Sequence, residues 1–519
     1  MSGWPWHRPK PKPPPVVQKR AIAIWVTAVD GAPVGGASVR LDGHPEVQTT
    51  NGYGYACFVA VKEDLTQTHL FVTCPGYHDA DKHLTLHPGN GDYDAPPLVP
   101  LVVPVPPPAG IVRLVHGALV DTRGPFNAIG ASFFPAAWAW RHDRLRLIDN
   151  AALLAEGGIE YVRIWGQVAG GPWEDRATLP TWPDYEEVMA GTVDVLYDLG
   201  LRTQITIIAG CGAEGAATRA ERDALVRRTL AIVRGREHKI MLLEVANEAV
   251  GFPGDEGRAE MRDHARTLAA HTDIPVAITS IDQSAPGLYE GMRGIADVSI
   301  CHYDRDITKA DGYDRPTRQP WGYPGEYYPQ GYASVPPQAI DNEGIGPYAS
   351  VASDMDPLRN VTRRVVAWIA GNPASLYHCG PGIYFGGQGG VRSGSPANFA
   401  EVPGIAETLR GFNVLRQRVP QGIAGWTRSN SGWANFPWVR VTQDGTEGAG
   451  CVRSYATDNG SQIVCVPFGI RDHVTLGEKQ PMTWTVYSLL TGAVIQEGTG
   501  TLTLPQYDGL AQLIVGRFM

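Results

Sequence analysis

Charge is scarce in this chain of 519 residues, and several familiar signals are missing. Asp, Glu, Lys and Arg together make up 19% of it, with a net charge of -9 and no basic stripe, which argues against a nucleic-acid binder. No apolar run reaches the roughly 18 residues a membrane helix needs, so no membrane span is expected. The opening stretch, MSGWPWHRPKPKPPPVVQKR, lacks the apolar core of a signal peptide. The seven cysteines include no C-x-x-C pair, so no structural zinc site is expected. Their odd count and wide scatter also argue against a disulfide framework. Cys57/Cys74 and Cys451/Cys465 each share a β-rich stretch and are either pairs or buried thiols. There is no H-E-x-x-H and no Gly-x-Ser-x-Gly, which removes the commonest zinc-protease and serine-esterase signatures.

What the chain does have is Gly (61), Pro (42) and flat side chains (14 Trp, 20 Tyr), on a hydrophobic content of 43%. These suit β-rich modules and long ordered loops. Residues 1–19 form a Pro- and Lys-rich tail that favours extended polyproline-like conformations. Residues 20–103 read as all-β, with turn signals such as "DGAPVGGA" and the Asn-Gly of "TTNGYGYACFVAV" between alternating strands. Residues 104–110 form a Pro-rich linker. Residues 421–519 return to β, with Asn-Gly, Thr-Gly and Asp-Gly turns, and predict a second small sandwich.

Between them, residues 111–420 alternate short apolar runs with amphipathic stretches. The runs are "NAIGASFF", "IEYVRIWG", "LRTQITIIAG", "KIMLLEVANE", "PVAITS", "ADVSICHY", "QAIDNE" and "ASLYHCG". Tyr185, Val188, Met189, Val193 and Leu196 keep helical spacing. "TRAE" (218–221) is a capping box, and "DPLRNVTRRVVAWIAGNP" opens on Asp-Pro and closes on Gly and Pro. "GIAETLRGFNVLRQRV" supplies Ile405, Leu409, Phe412 and Leu415 on one face. Eight such units predict a (β/α)8 TIM barrel flanked by two small all-β sandwich domains. A doubly wound sheet is the alternative, but no Gly-rich phosphate turn follows the first strand.

In such a barrel the C-terminal ends of the strands build the site. Strand two ends at Arg163 and Trp165, strand four at Asn247-Glu248, strand six at His302-Tyr303, strand seven at Asp341-Asn342-Glu343, and strand eight at Tyr377-His378. Two glutamates, Glu248 and Glu343, therefore face each other across the mouth. Glycoside hydrolysis needs such a pair, one carboxyl protonated and the other ionised. Arg163 is the candidate for keeping a carboxylate charged, Tyr303 for donating to the nucleophile, and Asn247 for contacting a sugar hydroxyl. Glu326 in "YPGEYYP" is a rival nucleophile, but it lies on no apolar run. His302, Asp304, Asp306, Asp341 and His378 are a second candidate cluster, for a metal; with no metal motif on any strand, no metal and no cofactor are expected.

On "YVRIW", "EVANE", "CHY" and "IDNEG", the chain resembles glycoside hydrolase clan A, the retaining barrel enzymes that include family 5. The resemblance implies that Glu248 is the acid/base and Glu343 the nucleophile, acting on a β-linked poly- or oligosaccharide. Residues 20–103 resemble the carboxypeptidase-regulatory-like β-sandwich, on "DGAPVGGASVRL", "TTNGYGYACF" and "CPGY". The long segment after strand six carries Trp321 among several Tyr, and is expected to wall a substrate cleft. Trp165 is expected to contact sugar too. No Trp ends strand eight, where Tyr377, His378, Tyr384 or Phe385 is the candidate wall, with Tyr377 taken as the substrate contact. The expected partner is a carbohydrate, met outside the cell or from a virion surface. The alternative is an inactive glycan-binding or structural protein on the same barrel.

Overall fold

The structure, a computed structural model, describes the chain apart from residues 1–18, 28–33, 35, 52–54, 63–65, 74–79, 88–90, 96–107, 211–213, 248–251, 253, 281–291, 302–337, 342–355, 370, 429–441, 444–445, 448–451, 457–460, 468–469, 477–479 and 508–511. It falls into two compact units, residues 1–103 and 104–519.

The first unit is all β. One sheet orders Tyr55–Lys62, Lys19–Trp25 and Gly91–Asp94; the other orders Val47–Thr49, Ser38–Leu41, Gln67–Thr73 and Ala80–Thr85. Side chains alternate between faces along a strand. In Ser38–Leu41, Val39 and Leu41 are buried while Ser38 and Arg40 are exposed. Ile22, Ile24 and Phe58 from one sheet and Val39, Leu70 and Val72 from the other share one buried cluster.

The second unit is α/β with further β sheets. Its centre is eight parallel strands: β1 (Ala128–Ser132), β2 (Tyr161–Trp165), β3 (Arg202–Ile208), β4 (Ile240–Ala246), β5 (Val276–Ser280), β6 (Val298–Cys301), β7 (Gln338–Asp341) and β8 (Ala374–Tyr377). They pair in chain order and close, β8 onto β1. Each lies in one of the eight apolar runs. Helices α1 (Ala136–His142) and α2 (Arg144–Glu156) follow β1, α3 (Tyr185–Asp198) follows β2, α4 (Arg219–Val233) follows β3 and α5 (Gly254–Ala269) follows β4. Helix α6 (Pro357–Ile369) precedes β8, and α7 (Ile405–Arg418) ends the series.

The helix signals act locally as their chemistry dictates. Thr218 accepts from the Glu221 amide, and Glu221 answers on the Thr218 amide, a complete capping box. The Asp356 carboxylate accepts from the Leu358 and Arg359 amides at the start of α6. Helix α3 buries Tyr185, Val188, Met189, Val193 and Leu196, the face read from spacing. Helix α7 buries Ile405, Leu409, Phe412 and Leu415.

Inward residues fill the barrel. Tyr161, Leu242, Ala277, Val298, Ile300, Ala374 and Leu376 form one buried cluster. Tyr161 fits because its neighbour is Gly130: a Cβ there would meet the Tyr161 ring at 2.2 Å. The same cluster takes in Leu119 and Phe126, from the three-stranded sheet of Arg113–Val115, Ala118–Asp121 and Gly124–Phe126, and Val112 just before it. That sheet therefore plugs the N-terminal end of the barrel. Beyond α7, a six-stranded and a four-stranded sheet follow. Val464, Val466, Leu489 and Leu513 join the buried cluster that the helices form around the strands. Cys57 is a free thiol, Cys379 and Cys465 are buried, and Cys74 and Cys451 lie outside the described residues.

An ion-pair network ties the plug to the barrel. Arg202 at the start of β3 donates to Asp121 at 2.8 Å and to the Gly110 carbonyl at 2.8 Å; Arg123 donates to the same carboxylate. Burial works to raise the Asp121 carboxyl, but the hydrogen bonds from Arg123 and Arg202 outweigh it and hold it below the usual range. A lowered folded-state value means that this stabilisation is complete above the unfolded value of about 3.9 and is lost as pH falls through the folded value. Asp121→Asn leaves the Arg202 side chain, 2% exposed, without its counter-charge. It is expected to cost about 3 kcal/mol at neutral pH and to flatten the fall in stability below about pH 4, read by urea unfolding across pH. An unchanged acid limb would show that Asp121 does not carry it.

Candidate active site

The open end of the barrel is built by alternation. On β4, Leu242 joins the interior cluster while Leu243 and Val245 join the helix-facing one. Glu244 thus points inward from the middle of an apolar strand, 0% exposed. Arg163 does the same from β2, 1% exposed. Neither charge would survive alone in that interior, and each supplies the other's partner. Arg163 donates through Nε to Glu244 Oε2 at 2.8 Å and through Nη2 to Oε1 at 2.9 Å, a two-pronged pair. From β3, Gln204 Nε2 donates to Glu244 Oε2 at 2.9 Å and Thr206 Oγ1 to the same oxygen at 2.5 Å.

The pair reaches one residue further. Arg163 Nη2 also donates to Asn247 Oδ1 at 2.9 Å. The Asn247 backbone amide donates to the Ile208 carbonyl at 2.9 Å, so both ends of this half-buried residue are fixed just past β4. Downstream, Phe252 is 4% exposed and packs edge-on against His264 of α5. Arg222 of α4 grips Glu260 of α5 at 2.6 and 2.9 Å, and donates to the carbonyls of Ala216 and Ala217 in the segment after β3. Burial works to raise Glu260, but the Arg222 hydrogen bonds outweigh it and keep it ionised; burial pushes His264 down and keeps it neutral. The short stretch 248–251 is thereby bracketed by anchored residues on both sides.

The wall beside Arg163 is aromatic. Phe134, just after β1, stacks on Trp165 at 3.9 Å with planes 10° apart. Trp173 meets Trp165 edge-on at 4.7 Å and donates to the Ile383 carbonyl at 2.9 Å. Next to Trp165, the Gly166 carbonyl accepts from Tyr185 at 2.8 Å; burial pushes that tyrosine hydroxyl far up, so it remains a donor. Ser132 at the end of β1 and His378 just after β8 are each 1% exposed and lie 2.5 Å apart, Oγ to Nδ1.

Of the residues singled out from the sequence, Arg163, Trp165 and Asn247 come together here. Glu248, Glu343, His302, Tyr303 and Trp321 lie outside the described residues. Two expectations are corrected. Tyr377 does not line the site: it is 1% exposed and shares the helix-facing cluster, packed edge-on against Phe412 of α7 at 5.8 Å. The period of two puts it on the outer face, and the inward residue at that end is His378. Trp165 lines the mouth but is 1% exposed, its ring covered by Phe134, so it is a wall rather than an open sugar platform. The described carboxylate that Arg163 holds is Glu244, inside strand four and four residues before the expected acid/base Glu248. Glu244, Gln204, Thr206 and Ser132 carried a signal that went unused: polar residues at alternate positions of apolar strands. Among the described residues no group of three or more His, Cys, Asp or Glu is placed to hold a metal, and no described helix is long and apolar enough to cross a membrane.

No protein-family model and no curated protein sequence matches the chain. Solved structures do. A glycoside hydrolase aligns with TM-score 0.55 at 13% identity, over 79% of this chain and 97% of its own. A glycoside hydrolase family 5 structure from Bacteroides vulgatus ATCC 8482 aligns with TM-score 0.56 at 12% identity, over 79% and 93%. At such identities the likeness is one of fold. The chain therefore has the fold of solved glycoside hydrolases, a family 5 member among them.

Proposed function

We propose that the chain is a retaining glycoside hydrolase that cleaves a β-linked poly- or oligosaccharide on a (β/α)8 barrel flanked by two β-sandwich domains. Glu248 is its acid/base and Glu343 its nucleophile. The observation that carries this reading is the fixed Asn247. A buried arginine–glutamate pair holds its side chain at the open end of β4, immediately before Glu248. The fold shared with glycoside hydrolases supports it.

The reaction follows from two carboxyls in opposite protonation states. The Glu343 carboxylate attacks the anomeric carbon as the bond to the leaving oxygen breaks, and the Glu248 proton goes to that oxygen. A glycosyl ester on Glu343 results. Glu248, now a carboxylate, takes a proton from water as the water oxygen attacks the anomeric carbon. The ester bond breaks, and both glutamates return to their starting states. Asn247 contacts a sugar hydroxyl; His302, Tyr303 and Trp321 are further substrate contacts. No cofactor enters the balance. A panel of β-linked polysaccharides and aryl β-glycosides is the test. Release of reducing ends by the intact protein, lost in Glu343→Ala, supports the reading. Binding without turnover by a folded protein would replace the enzyme with a glycan binder.

A further inference from the structure

We infer that Glu244 is a positioning residue, which sets the orientation of the Asn247 amide through Arg163. This rests on the glycosidase reading only for its kinetic test. A guanidinium can donate hydrogen bonds but never accept them. The group of Asn247 facing Arg163 Nη2 at 2.9 Å must therefore be the carbonyl oxygen, Oδ1. Among the described residues none accepts from the Nδ2 donors, which are then left for a ligand in the cleft. Everything that fixes this polarity lies behind Arg163. The guanidinium is held by both oxygens of Glu244, and Glu244 by Gln204 and Thr206 from the neighbouring strand. Each member of this relay except Asn247 is at most 1% exposed, so water cannot substitute for a lost partner. Glu244 does not touch the cleft. It acts at one remove, by denying Asn247 the freedom to flip and offer its carbonyl instead.

Glu244→Gln keeps the shape, and its carbonyl can take the Oε2 position that accepts from Arg163 Nε, Gln204 and Thr206, but its NH2 group then falls at the Oε1 position, opposite Arg163 Nη2. Two donors then oppose each other, the guanidinium shifts, and Asn247 loses its anchor. A misplacement of about 1 Å costs on the order of 100-fold in rate. Asn247→Ala is therefore expected to lower kcat/KM about 100-fold, and Glu244→Gln by roughly 10- to 100-fold, chiefly in kcat. The decisive comparison is the double variant. If Glu244 acts through Asn247, the double variant is no worse than Asn247→Ala alone; a merely structural Glu244 gives multiplied losses. A crystal structure of Glu244→Gln supplies the second arm, with Asn247 Oδ1 expected beyond about 3.5 Å from the guanidinium. If Glu244→Gln does not fold, Thr206→Val, which removes a single hydrogen bond to the carboxylate, takes its place in both arms. Multiplied losses, or Asn247 unmoved in the variant crystal, would overturn the inference. A wild-type protein that hydrolyses no glycan would sink the glycosidase reading, and the crystallographic arm would still decide the positioning role.

Discussion

Glu343→Ala is expected to lower kcat on a β-linked glycan by about 10⁴-fold or more, because the covalent step loses its nucleophile. Glu248→Ala is expected to behave differently, and the contrast is the informative part. Its proton matters in proportion to how poor the leaving group is. On a polysaccharide, whose leaving group is a sugar alkoxide, the loss should approach that of Glu343→Ala. On an aryl glycoside with an acidic phenol, the first step needs no proton, so glycosyl-enzyme forms at a near-normal rate and accumulates. A burst of phenol followed by slow turnover is the expected trace. Equal losses on both substrates would contradict the division of labour between the two glutamates. So would a Glu343→Ala variant that retains turnover, in which case Glu326 becomes the residue to test.

The second large effect concerns stability. Removing one member of a buried ion pair strands the other, which costs about 3–5 kcal/mol. Arg163→Ala and Glu244→Ala are each expected to lose that much in urea unfolding at neutral pH. Glu244 is 0% exposed and receives donors from three residues, so its loss also orphans Gln204 and Thr206. The double replacement Arg163→Met with Glu244→Leu removes both charges and keeps bulk, so it should recover the part of the loss that comes from the stranded charge, while Gln204 and Thr206 stay orphaned and activity stays lost. That outcome would mark the pair as one kept for the site. A double variant as unstable as either single one would mean that the pair is needed for the barrel itself.

Much of this architecture was legible in the sequence. The eight apolar runs each hold a barrel strand, and the capping box at Thr218–Glu221 and the Asp356 cap open helices where expected. These signals are local, so chain pattern carries them. Arg163 and Asn247 were also legible as polar residues near strand ends, where the structure joins them by a hydrogen bond. The identity of Arg163's partner was not. Reading strand ends alone passed over Glu244, three residues upstream of Asn247, although a carboxylate inside "LLEVA" could be tolerated only beside a buried cation. Tyr377 was misread for a related reason. Its place at the end of β8 was correct, but the inward side of that strand belongs to Leu376 and His378. Facing is set by the register of the whole barrel, and one residue of offset reverses it. The stack of Phe134 on Trp165 joins two strand ends and is invisible to either one alone.

The central claim is a double displacement by two glutamates, and the configuration of the first product tests it most directly. Proton NMR of a β-glycoside during the first minutes of hydrolysis resolves the anomeric signal before mutarotation mixes it. The β anomer should appear first and decay into the equilibrium mixture, because two inversions restore the starting configuration. The α anomer appearing first would contradict the account, since it requires a single inversion and a glutamate acting as base rather than nucleophile.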